Sequence, residues 1–123
     1  WITLDQAVQF VVDSFDQMQG GELYVPRIPS MHLMDLVEAI APGYPCVETG
    51  IRPGEKLHEE MISADDSYRT LRLNDRYLVM PTISEWGFVP GAGDKVEPGF
   101  SYRSDSNDQW LSAKELRSVI TGE

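Results

Sequence analysis

The chain has 123 residues, 41% of them hydrophobic and 24% charged, the proportions of a compact domain or a piece of a larger protein. Twenty acidic residues against ten basic ones leave a net charge of −10, which excludes a broad nucleic-acid face, because phosphate backbones are bound by a basic field. No run reaches the roughly 20 apolar residues of a membrane helix, and no signal-peptide pattern is present, so a cytoplasmic protein without a membrane partner is expected.

The chain begins at Trp1 without a methionine and enters a helix at once, which leads us to expect a fragment of a longer protein. "TLDQAVQFVVDSFDQM" is amphipathic, with Leu4, Val8, Val11, Val12, Phe15 and Met18 on one face. Thr3 and Gln6 form a capping-box pattern at its start, and Gly20 and Gly21 end it. Glu22 to Pro26 is a short strand, Pro29 and Ser30 a turn. "MDLVEAIA" is expected as a second helix, with Leu33, Leu36, Val37 and Ile40 apolar, and stops at Pro42-Gly43, with His32 a surface residue at its start.

Pro45 to Ile51 alternates Val47, Thr49 and Ile51 with polar residues and is expected as a second strand. Cys46, the single cysteine, excludes an internal disulfide and a cysteine-built zinc site, and its apolar neighbours predict a buried side chain. "GEKLHEEMIS" is expected as a short helix with Lys56 and Glu60 spaced for an ion pair. "TLRLNDRYLVM" is expected as a β-hairpin turning at Asn74-Asp75. Residues 83–109 are rich in Gly, Pro, Ser and Asp and read as loop. Residues 110–123 close the chain as a helix opened by a Ser112/Glu115 capping box. Alternating helices and strands indicate an α/β fold, and the two candidates for a parallel sheet are too few to stand alone.

Catalytic and metal motifs fail on inspection. "HEEM" at His58 lacks the second histidine of a zinc protease, since position 62 is Ile62. "DSNDQW" at Asp105 has Trp110 where a calcium loop needs glycine. "GAGDKV" at Gly91 has two glycines of a dinucleotide fingerprint but no third. There is no Tyr-x-x-x-Lys pair, and no metal site is expected.

The unusual stretch is "TGIRPGEKLHEEM", which keeps an arginine at a Pro-Gly bend in a strongly acidic chain. From the bend alone, Arg52 reads as a surface arginine paired with Glu48 or Glu55. Together with "WITLDQAV", "MQGGELYVPRIPSM", "DLVEAIAPG" and "DDSYRTLRLNDRYLVMP", however, the stretch resembles the inverting UDP-N-acetylglucosamine 4,6-dehydratases, extended short-chain dehydrogenases/reductases of bacterial capsule, O-antigen and flagellin-glycan pathways. The resemblance covers Trp1 to Thr82 and the last helix. It implies that this chain is the C-terminal, substrate-binding part of such an enzyme: residues 1–82 form the α/β part with the Arg-Pro-Gly segment and hairpin, 83–109 the loop region and 110–123 the closing helix. The Rossmann half, with its NADP site and catalytic residues, would lie in a missing N-terminal part, so the chain alone would be inactive. It further implies that Arg52 contacts the diphosphate of a UDP-sugar and Glu55 the ribose hydroxyls, and that the enzyme is a homo-oligomer. The family pattern often has Asp at the acid position. A related UDP-sugar 4-epimerase and a non-catalytic interaction or oligomerisation module remain alternative readings.

Overall fold

Helix α1, Leu4–Gln17, begins at the capping box: Gln6 N–H donates to Thr3 Oγ1 at 3.2 Å and Thr3 N–H to Gln6 Oε1 at 3.0 Å. The computed structural model describes residues 1–83 and 87–122. Residues 84–86 of the expected loop and residue 123 of the expected closing segment lie outside the described residues.

The contacts divide the chain into two compact units, each built from separated stretches. One comprises Ile2–Ile28 and Glu60–Arg103. After α1 the chain reverses through Gly20 and Gly21, at φ 129° and 82°, while the buried Glu22 carboxylate accepts the N–H groups of Gln19 and Gly20. Burial pushes that carboxyl up, but the backbone donors outweigh it and hold it below the ordinary range.

Strand β1, Leu23–Pro26, then enters a four-stranded antiparallel sheet. The elements that follow it in the chain are β2 (Ser30–Met31), α2 (Leu33–Ile40), β3 (Glu60–Ile62), β4 (Thr70–Arg72), β5 (Arg76–Val79), β6 (Asp94–Lys95), β7 (Tyr102–Arg103), β8 (Trp110–Leu111) and α3 (Ala113–Thr121). The sheet order is β1-β5-β4-β6, with Tyr24 and Leu71 both opposite Leu78. Strand β1 is therefore antiparallel to its neighbour, not one of a parallel pair.

The expected hairpin is present, closed by Leu73 N–H donating to Arg76 O at 2.9 Å. Asn74 and Asp75 make the turn without positive φ, and Arg27 steadies it by donating to Asp75 O and Asn74 O at 2.9 and 3.0 Å. Strand β3 pairs antiparallel with β7, and a 3-10 turn, Ala64–Arg69, leads on to β4. Val25, Ile62, Tyr77, Val79, Val96 and Tyr102 form the core, with Phe100 packed against it. The Tyr102 hydroxyl closes one side, donating to Ile28 O and accepting from Ile28 N, both at 2.8 Å.

The other unit comprises Trp1, Pro29–Glu59 and the chain from Ser104 onward. Ser30, expected in a turn, starts β2, which pairs in parallel with β8. Helices α2 and α3 pack together, and each buries one residue, Ala39 on α2 and Leu116 on α3. The Ser112/Glu115 capping box opens α3 as expected. Arg117 donates to Glu38 O and Ala39 O at 3.0 and 3.4 Å, satisfying carbonyls that the end of α2 leaves unpaired. His32 is the N-cap of α2 and stacks on Trp110, ring centres 4.6 Å apart and planes 20° from parallel.

Residues 41–59 contain neither helix nor strand. The strand expected over Pro45–Ile51 does not form, because no ladder supplies a face to bury: Val47 is 84% exposed and Ile51 60%. Cys46, expected buried, is exposed for the same reason. The helix expected over Gly54–Ser63 is absent, and so is its Lys56–Glu60 pair. Its first half is irregular, with Leu57 77% exposed, and its second half becomes β3, where pairing with β7 drives Ile62 to 1% exposure.

Candidate functional site

Arg52, Pro53, Gly54 and Glu55 form a β-turn, with Glu55 N–H donating to Arg52 O at 3.0 Å. Proline fixes φ at the second position, and Gly54 supplies φ 89° at the third, the left-handed value a type II turn requires. The turn brings its end residues together. Arg52 Nε donates to Glu55 Oε1 at 2.8 Å, Arg52 Nη2 lies 2.7 Å from the same oxygen, and Arg52 N–H donates to Oε2 at 2.9 Å. Of the surface partners weighed from the sequence, Glu55 and not Glu48 holds the guanidinium. The side chains are 85% and 43% exposed. An ion pair so open to water contributes about 0–1 kcal/mol, so stability is a poor reason for this arrangement. It fixes a cation on the surface of an acidic protein.

Sequence reasoning missed how the far end of this segment is held. Glu59 N–H donates to Ser104 Oγ at 3.0 Å, and Ser104 N–H returns to Glu59 O at 2.9 Å. His58 Nε2 lies 4.0 Å from Asp105 Oδ2. These partners are 45 residues apart in the chain for the Ser104 bond, within a stretch that has no period, so no local signal marks them.

Two surface grooves lie in the unit that carries the sheet. One, of about 220 Å³, runs beside α1 between Phe10, Phe15, Met18 and Leu23. The other, of about 470 Å³, lies between Arg27, Arg72 and Asp94. Among the described residues no group of three His, Cys, Asp or Glu side chains is placed to hold a metal. The Gly91-x-Gly93 stretch does not fit a dinucleotide: a Cβ at Gly93 would come within 3.2 Å of Leu71 Cβ and 3.4 Å of Arg72 O. Close approach of β6 to β4 explains the glycine.

A family model of polysaccharide biosynthesis proteins matches residues 1–81. The chain belongs to that family. Within it, two UDP-N-acetylglucosamine 4,6-dehydratases (inverting) from strains of Campylobacter jejuni subsp. jejuni are 46% and 45% identical to this chain, over 98% of it and 38% of each relative. An uncharacterized membrane protein of Methanocaldococcus jannaschii is 32% identical over 65% of this chain and 27% of its own length. No described helix here is long and apolar enough to cross a membrane. The crystal structure of Pen from Bacillus thuringiensis superposes with a TM-score of 0.81 at 26% identity, covering 98% of this chain and 36% of that one. This polysaccharide biosynthesis chain thus spans little more than a third of the length of the curated relatives it matches.

Proposed function

We propose that this chain is the substrate-gripping part of an inverting UDP-N-acetylglucosamine 4,6-dehydratase of bacterial surface-polysaccharide or flagellin-glycan synthesis. The observation that carries the reading is the identity of 45–46% to two such dehydratases, sustained over 98% of the chain. The Arg52–Glu55 turn supports it chemically. A UDP-sugar presents a diphosphate, and a guanidinium is a forked donor matched to phosphate oxygens. In an acidic protein such a ligand is attracted only by a locally placed cation.

In this reading residues 1–82 carry the substrate-facing part, Arg52 binds the diphosphate, and Glu55 lies beside the ribose. Oxidation at the sugar C4, loss of water across C5 and C6 and return of hydride to C6 belong to an NADP-binding Rossmann half outside this chain. The complete enzyme is cytoplasmic and homo-oligomeric, and the 123-residue chain alone is inactive.

The test joins the chain to its preceding coding sequence and measures 4-keto-6-deoxy sugar formation from UDP-N-acetylglucosamine. The joined protein is active, the chain alone is not, and Arg52→Ala in the joined protein loses UDP affinity. A joined protein that leaves UDP-N-acetylglucosamine unchanged, or an Arg52→Ala variant that binds UDP like the parent, overturns the reading.

A further inference from the structure

A guanidinium offers a side-on fork, Nε with Nη2, and an end-on fork, Nη1 with Nη2. In Arg52 the side-on fork is occupied by Glu55 Oε1, at 2.8 and 2.7 Å. The other carboxylate oxygen holds the Arg52 backbone N–H at 2.9 Å, so one carboxylate grips both ends of the same residue. Nη1 has no hydrogen-bond or ion-pair partner among the described residues, which leaves the end-on fork available.

We infer that Glu55 is a positioning residue: it holds Arg52 in the rotamer that presents its end-on fork to a phosphate group. The inference rests on the assignment of this turn to a nucleoside diphosphate and gives Glu55 a task distinct from touching the ribose. An arginine on a surface turn samples many rotamers, and ordering it on binding costs affinity. The type II turn and the carboxylate carry that cost before the ligand arrives. A carboxylate beside an arginine also repels phosphate. With side chains 85% and 43% exposed, water screens that repulsion, whereas nothing screens the lost rotamer freedom. Positioning therefore outweighs repulsion.

The two effects, and a role confined to the ribose, separate by using a ligand without ribose. Inorganic pyrophosphate and UDP are titrated calorimetrically into the full-length protein and its Glu55→Ala, Glu55→Gln and Arg52→Ala variants. Thermal midpoints serve as the folding control. Positioning predicts that Glu55→Ala weakens pyrophosphate by up to about fivefold, the most that an ion pair so exposed contributes to holding one rotamer. Glu55→Gln, which keeps an acceptor oxygen for the guanidinium, recovers part of the loss. Pyrophosphate bound as tightly or more tightly by Glu55→Ala overturns the inference, and a simultaneous loss of UDP affinity would assign Glu55 to the ribose alone. Arg52→Ala tests the underlying reading separately: if it binds both ligands like the parent, the turn is not a phosphate site and the inference falls with it.

Discussion

The Arg76 guanidinium carbon lies 4.8 Å from the centre of the Phe10 ring, joining the sheet to α1. Arg76 is 4% exposed, donates to Ser14 Oγ at 3.2 Å and to both Asp75 oxygens at 3.0 and 2.8 Å. α1 has no buried residue of its own, so few other contacts fix it. Arg76→Ala removes the cation, its aliphatic stem and the ring contact together, and is expected to cost about 2–4 kcal/mol. Arg76→Met keeps the stem's packing and is expected to cost less than half as much, since the exposed Asp75 returns to water. Urea unfolding of both variants checks the difference, and equal losses would show that charge and not packing carries the contact.

Acid sensitivity follows from four carboxylates. Hydrogen bonds from Arg69 and then Ser63 hold Asp66 below its ordinary value, those from Arg76 do so for Asp75, and those from Ser112 for Glu115. Glu22 ends lower as well, through the backbone donors of its turn. Each group binds its proton less readily folded than unfolded. The stability they contribute is therefore fully present above the unfolded values, about 4, and is lost as pH falls through the folded ones. Thermal midpoints should be flat from neutral pH to about 5 and decline steadily below about 4. Asp66→Asn should lower the midpoint at neutral pH and flatten the acid decline. An unchanged decline would remove Asp66 from the linkage.

The parts of the fold legible in the sequence are those fixed by neighbours in the chain. Thr3 with Gln6, Ser112 with Glu115, and Pro53 with Gly54 each satisfy or aim backbone groups within a few residues, so spacing alone identifies them. The 70–80 hairpin is legible for the same reason. The strand expected at Pro45–Ile51 has a proper alternation, but a ladder needs a partner, and none among the described residues meets it. Conversely, Glu60–Ile62 becomes a strand because Tyr102 and Arg103 reach it across some forty residues of intervening sequence. Ser104, which holds the end of the Arg52 segment, is invisible to local reading on the same grounds. The pairing of Arg52 with Glu55 was visible as one of two spacings, and only the turn geometry decides between them.

The apolar stripe of α1 is on the surface. Leu4 is 78% exposed, Phe15 70%, Val8 55%, Val11 and Val12 50%, and Met18 46%. A contiguous apolar face of this kind drives association in water. The isolated chain should therefore bind a hydrophobic dye and sediment as more than a monomer at high concentration. Phe15→Glu should reduce both signals and leave the unfolding free energy within about 0.5 kcal/mol of the parent, as expected for an exposed substitution. A strictly monomeric parent without dye binding would contradict the exposed stripe.

Two glycines give opposite outcomes for the same substitution. Gly93 is without positive φ but has a crowded site, where an added Cβ would sit 3.2 Å from Leu71 Cβ in the sheet. Gly93→Ala should push β6 from β4 and lower global stability by about 1–3 kcal/mol, with UDP affinity in the full-length protein unchanged. Gly54 has open space around it but φ 89°. Gly54→Ala meets no neighbour, and its penalty is the left-handed backbone, about 1–2 kcal/mol. That strain falls on an exposed turn in a stretch without helix or strand, which can relax by opening locally instead of unfolding the domain. Opening the turn separates Arg52 from Glu55. The thermal midpoint should therefore hardly move, while affinity for UDP and for pyrophosphate falls together. Measuring the midpoint and both affinities for each variant decides the matter: a Gly54→Ala protein that loses stability but binds as before would mean that the turn serves the fold and not the ligand.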